Sequence, residues 1–104
     1  MALTSTVVTN QNTTIISGTA GKIRAVTCLF FCNTHASNAD DVTIYAIASG
    51  GTASDSNTII KSASIDATDT LTFDTEKLLL DPTDSLVGVT TNGTISATAT
   101  YTDV

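Results

Sequence analysis

The chain has 104 residues, with ten acidic and four basic side chains and a formal net charge of −6. That length bounds it to one domain with a single modest core. The basic residues, Lys22, Arg24, Lys61 and Lys77, are scattered, which excludes the patch that nucleic acid or an anionic membrane surface would need.

About a fifth of the residues are Thr, followed by Ser, Val, Ile and Ala. This is strand composition, and Thr suits a strand face open to water. The N-terminus MALTSTVVTN lacks the charged and apolar regions of a secretory signal. No apolar run approaches the ~20 residues of a membrane helix. Synthesis in a cytoplasm without secretion is the expectation.

Residues 2–17 read as two short strands, ALTSTVVT and TTIIS, around the polar turn Asn10-Gln11-Asn12. Residues 1–17 are also available as an N-terminal arm that adds a strand to a neighbour's sheet. Gly18 and Gly21 bracket a loop. Residues 22–33, KIRAVTCLFFCN, form the longest apolar stretch and are expected to be the central strand. Strict alternation puts Val26, Cys28, Phe30 and Cys32 on one face, towards the core. Ala25, Thr27, Leu29 and Phe31 then form an outward apolar strip, covered either by a neighbouring subunit, which makes it a candidate interface, or within the chain by the N-terminal strands or a folded-over loop. Cys28 and Cys32, four apart in one strand, lie roughly 13 Å apart, beyond disulfide reach and too far to share a metal.

A polar loop, NTHASNADD, follows, and then the strand VTIYAIA over 42–48, expected to pair with the central one. Ser49-Gly50-Gly51 and TASDSN lead to TIIKSASI over 58–65, where Ile59 and Ile60 leave the facing ambiguous. Two stretches then resemble each other, IDATDTL over 65–71 and LDPTDSL over 80–86. Each reads as a tight turn, with the first Asp capping and Pro82 presetting φ. Between them DTEKLLL is too short for an isolated helix, and Glu76 has Lys77 beside it. Asn92-Gly93 predicts a type I′ hairpin joining residues 86–91 to 94–102. In the last strand Ile95, Ala97, Ala99 and Tyr101 are expected to face in, and the alternating Thr and Ser out.

The pattern is all-β: a single-domain β-sandwich of jelly-roll or Ig-like type over residues 1–104, with about eight antiparallel strands. No enzyme is expected. His35 has no nucleophile elbow or triad around it. The loop aspartates follow no calcium-loop spacing, so neither metal nor cofactor is expected. An exposed-loop binding site would use His35, Asn38, Asp40 and Asp41 of one loop with Asp55 of the 52–57 loop.

The whole chain resembles small β-sandwich structural proteins of tailed bacteriophages, notably those of cyanobacteria. The matching segments are VTCLFFCN, VTIYAIASGG, IIKSASIDATDTLTFDTEKLLLDPTDSL and NGTISATATYTD. Related sequences tend to carry Gly-Asp in the turns, where this chain has Thr68-Asp69 and Thr83-Asp84. The resemblance implies a virion protein, foremost a capsid decoration (cement) protein. Such a protein forms a homo-oligomer, a trimer by preference, and docks on the major capsid protein or other virion proteins. The alternatives are a neck, tail or fibre component, and a module reading a host-surface carbohydrate or receptor.

Overall fold

The computed structural model describes residues 2–74 and 78–104. Among the described residues, nine strands form two antiparallel sheets packed face to face: β1 (Ala2–Val8), β2 (Thr13–Ser17), β3 (Arg24–Asn33), β4 (Asp40–Ile47), β5 (Thr58–Ile65), β6 (Thr70–Phe73), β7 (Leu78–Leu80), β8 (Ser85–Thr90) and β9 (Ile95–Asp103). The first sheet runs β1-β9-β3-β6, with β7 also on β3, and the second runs β2-β8-β4-β5. The expected β-sandwich is present. Apart from the single 3-10 turn Asp55–Asn57, the described residues contain no helix, and none long and apolar enough to cross a membrane. Within DTEKLLL, Leu78–Leu80 is a strand, and the Glu76–Lys77 pair lies outside the described residues.

The pairing is nested. β1 pairs β9, β2 pairs β8, β3 pairs β6 and β7, and β4 pairs β5. The chain thus doubles back at the 48–57 loop, and the doubled ribbon rolls until β9 meets β3 and β8 meets β4. This is jelly-roll winding. Consecutive strands therefore mostly fall in opposite sheets. β4 does not pair with β3, as its adjacency in sequence suggests, but lies across the core from it. Residues 2–17 do not project as an arm, because β1 and β2 each join one of the sheets.

Asn92-Gly93 likewise makes no hairpin, since β8 and β9 belong to different sheets. Gly93 is at φ +74°, whereas Asn92 is not in the left-handed region a type I′ turn requires there. Side chains fix this crossing instead: Asp40 accepts the Asn92 and Thr94 N–H groups, and the Thr90 hydroxyl accepts that of Gly93. Both Asp-x-Thr-Asp stretches are also crossings, at opposite ends of the sandwich. Each closes with a 3.0 Å bond from the fourth residue's N–H to the first residue's carbonyl, Asp69 to Asp66 and Asp84 to Asp81. Thr68 and Thr83 take φ +65° and +69°. The capping carboxylate is the fourth residue's, not the first's: Asp84 accepts the Asp81 N–H, and Asp69 accepts the Thr70 N–H.

Bulges decide which side chains reach the core. In β3 the register against β9 slips between Val26 and Cys28. The extra residue, Thr27, places its hydroxyl 2.8 Å from that of Thr100. Beyond it the facing inverts: Leu29 and Phe31 are buried and Phe30 is exposed. Leu29 and Phe31 oppose Ala99 and Ala97, so large side chains meet small ones in the cross-strand pairs. In β5 two slips against β4 send Ile60, Ala63 and Ile65 inward and leave Ile59 exposed, which resolves the ambiguity there. In β2 the slip between Thr14 and Ile16 lets the consecutive Ile15 and Ile16 both be buried. Strand β9 has the expected alternation, with Ile95, Ala97 and Ala99 fully buried.

Candidate interaction surface

The register of the first sheet builds its outer face row by row. One row runs Ser5, Thr98, Phe30, Thr72; the next runs Val7, Ser96, Cys32, Thr70. On the other side of the first row lie Leu3, Thr100 and Cys28, then Thr102, Ala25 and Leu79. At a strand spacing of ~4.8 Å, a four-strand row spans roughly 15 Å. Leu3 and Leu79 are about two-thirds exposed (66% and 67%), Val7 is 55% exposed and Phe30 37%. Of the seven large apolar residues exposed among the described residues, four stand on this one face.

Among the described residues, no strand side chain on this face is charged. Arg24 and Asp103, at the end of β3 and β9, alternate to the other side. There Arg24 Nε and Nη2 donate to the Asp103 carboxylate at 2.7 and 3.0 Å, and Nη1 donates to the Ser17 carbonyl of the opposite sheet. The guanidinium also lies 4.1 Å from the Tyr101 ring centroid. Asp103 is held below the usual carboxylate range, chiefly by its hydrogen bond from Arg24. A chain with net charge −6 thus has one broad face whose described strand residues carry no charge, the composition of an interface core.

The expected strip is divided by the Thr27 bulge. Ala25 and Thr27 stand on this face, whereas Leu29 (5% exposed) and Phe31 (fully buried) belong to the core. Their places outside are taken by Cys28, Phe30 and Cys32. Both cysteines are free thiols and partly buried. Strict alternation missed these residues, and it missed Leu3, Val7 and Leu79 because they come from other strands.

The proposed loop site is not assembled. The 34–39 loop and Asp55 sit at opposite ends of β4. Asp40 is no loop residue: it opens β4 and is 3% exposed. Its carboxylate accepts the N–H groups of Asp41, Asn92 and Thr94 at 2.8–3.0 Å. Burial opposes its charge, but these hydrogen bonds outweigh burial and hold Asp40 below the usual carboxylate range. Beside it the fully buried Asn33 donates to the carbonyls of Asn38 and Ile65, both at 2.9 Å. The Thr94 hydroxyl, with one proton, stands between Asn33 Oδ1 at 2.9 Å and Asp40 Oδ2 at 3.0 Å. His35 Nδ1 accepts the N–H groups of Ser37 and Asn38, which folds the loop on itself. Asn38 is exposed, Asp41 accepts the Thr91 hydroxyl at 2.6 Å, and the exposed Asp55 meets Lys61 at 3.4 Å. This end of the sandwich is tied together by polar groups that satisfy one another. Among the described residues no three His, Cys, Asp or Glu side chains cluster as metal ligands.

One apolar groove of about 230 Å³ opens at the seam between the sheets, lined by Leu29, Ile59, Ile60, Phe73 and Leu78. It lies between the β5 and β6–β7 edges, away from the uncharged face. Comparison of the chain with protein-family models, with curated proteins and with solved structures finds no match.

Proposed function

We propose that this chain is a virion structural protein of a tailed bacteriophage, a decoration subunit that docks on the capsid shell and assembles with copies of itself. The single observation that carries the docking is the uncharged outer face of β1, β9, β3 and β6–β7, with Leu3, Val7, Phe30 and Leu79 exposed on it. Burying that face against a flat partner removes apolar surface from water without stranding a charge. The resemblance of the four quoted segments to phage structural proteins supplies the partner class. The jelly-roll supports it as an analogy only, since viral capsid and lectin domains share this architecture.

In this reading the protein works by burial at joints between capsid subunits, with the acidic turns left in water. A stable contact of this kind buries at least ~1,200 Å² in total. The test is cryo-microscopy of particles carrying the wild-type chain and the Phe30→Asp variant. The expected result is sandwich density on the capsid faces, sheet outward face down, that disappears with Phe30→Asp while the purified variant stays folded. Density confined to the neck, tail or vertex would overturn decoration in favour of a tail-region role.

A further inference from the structure

We infer that two copies of this chain pair through their β1 edges, antiparallel about a two-fold axis at Ser5. Four sheet edges are available, and three carry features that obstruct strand addition. β2 has five residues and a bulge. β5 has two register slips, Lys61 and a positive φ at Ser62. The last edge is divided into β6 of four residues and β7 of three. β1 has none of these. Its seven residues pair with β9 in unbroken register, and it contains no charge and no proline. Natural sheets protect an exposed edge with charges, prolines, bulges or brevity. A long regular edge without them is built to be paired.

The sequence of β1 names the occupant. ALTSTVV is nearly palindromic in character about Ser5. Antiparallel pairing centred there sets Ser5 opposite Ser5, Thr4 opposite Thr6 and Leu3 opposite Val7, each of the last two pairs occurring twice. Leu3 and Val7 are the two large exposed apolar residues of the strand. They meet across the junction on the outer face, and Thr meets Thr on the inner side, both favourable cross-strand pairs. A two-fold contact uses one patch twice, so self-complementarity is what it requires. The chain's like charges oppose association in general, but none lies on β1. The product is one continuous sheet, β6–β3–β9–β1 from each copy, whose uncharged outer face is twice as wide. This contact does not rest on the virion reading. It makes the elementary unit a dimer, in place of the trimer that the resemblance implies.

Sedimentation equilibrium of the whole chain from ~1 µM to ~1 mM tests it. The expected species has twice the 10.7 kDa chain mass. Ser5→Lys puts two like charges face to face at the axis and raises the dimer dissociation constant at least about tenfold. Ser5→Asp does the same. Mixing the two variants restores a one-to-one heterodimer, because opposite charges now meet across the axis. A wild-type chain that stays monomeric throughout, or forms a trimer, overturns the pairing. So does a dimer that Ser5→Lys leaves intact, or a Lys and Asp mixture that stays monomeric while each variant melts cooperatively. Capsid docking is read separately by Phe30→Asp, which lies two strands from the axis, so failure of either reading is visible without the other.

Discussion

Phe30 and Phe31 are neighbours in sequence, and the bulge at Thr27 gives them opposite fates. Phe31 is fully buried, opposite Ala97, with its ring edge-on to Phe73 at a centroid distance of 6.2 Å and an interplanar angle of 73°. Truncating a core Phe costs about 3–5 kcal/mol, including the cavity left behind. A serine hydroxyl without a partner in that cavity adds to the loss. A domain of this size is stable by only about 5–15 kcal/mol in all. Phe31→Ser should therefore lower the melting temperature by at least ~12 °C, or leave the chain unfolded. Phe30 stands in the open row between Thr98 and Thr72, 37% exposed. Phe30→Ser opens no closed cavity, because the ring lies at the surface, and should cost only about 1–2 kcal/mol for the apolar contacts it loses. Urea melts followed by circular dichroism measure both. Equal costs for the two variants, or a larger cost for Phe30→Ser, would refute the bulge and the facing built on it.

Four further substitutions and a pH titration test the turns and the buried network. A Cβ on Gly18 would sit inside the Asp81 carbonyl of the second crossing turn, and its N–H bonds the Asp84 carbonyl at 2.8 Å; Gly18→Ala should cost ~3 kcal/mol or more, read as a shifted urea midpoint. Thr68 is a β-branched residue in the left-handed region, a strain of ~1–2 kcal/mol, against which glycine's extra chain entropy sets ~0.5–1. Thr68→Gly should raise the melting temperature by a few degrees, and Thr83→Gly by less, because the Thr83 hydroxyl bonds that of Ser49. Asp40 and Asp103 both have carboxyl groups held below their unfolded values, so the unfolded chain binds protons first as pH falls. Their contribution is fully present above about pH 5, begins to fall as the unfolded groups take up protons, and is lost as acid titrates the folded groups. Urea midpoints should hold steady from neutrality to about pH 5 and then drop; Asp40→Asn should start lower at pH 7 and show a shallower acid drop.

The strands were legible because their signal is local. Thr-rich alternation over 94–102 and turn residues at 18–21, 49–57 and 81–84 locate segments to within a residue or two. The turns carried less. Asn92-Gly93 has hairpin chemistry, but the buried carboxylate of Asp40, some fifty positions earlier at the start of β4, captures the N–H groups of Asn92 and Thr94 and bends the chain to the other sheet. Facing failed where a bulge intervened. Nothing in VTCLFF marks Thr27 as an extra residue. The mark lies in β9, whose Ala97 and Ala99 demand large partners on the same side, and that demand is visible only once the pairing is known. Asp40 was misjudged for a similar reason: an aspartate beside a polar loop looks solvated until strands from three parts of the chain enclose it.

The distribution of charge ties the surface to the fold. In a roll whose chain crosses between sheets at nearly every connection, the crossings need polar residues to satisfy turn backbone. Asp69, Asp84 and Asp40 do this with carboxylates aimed at N–H groups. Much of the acidity is thus a by-product of how the roll is turned, and it gathers at the two ends. The faces are free to differ, and they do. The second sheet's outer side carries Asp41 and Lys61, whereas the described strand residues on the first sheet's outer side are Ser, Thr, Cys and apolar groups alone. A single Lys among Ser5, Thr98, Thr100 or Thr72 would keep that face in water at almost no cost to the fold. None is there, and the unguarded β1 edge is continuous with it. An edge and a face that share the same omission are best explained by a single assembled surface.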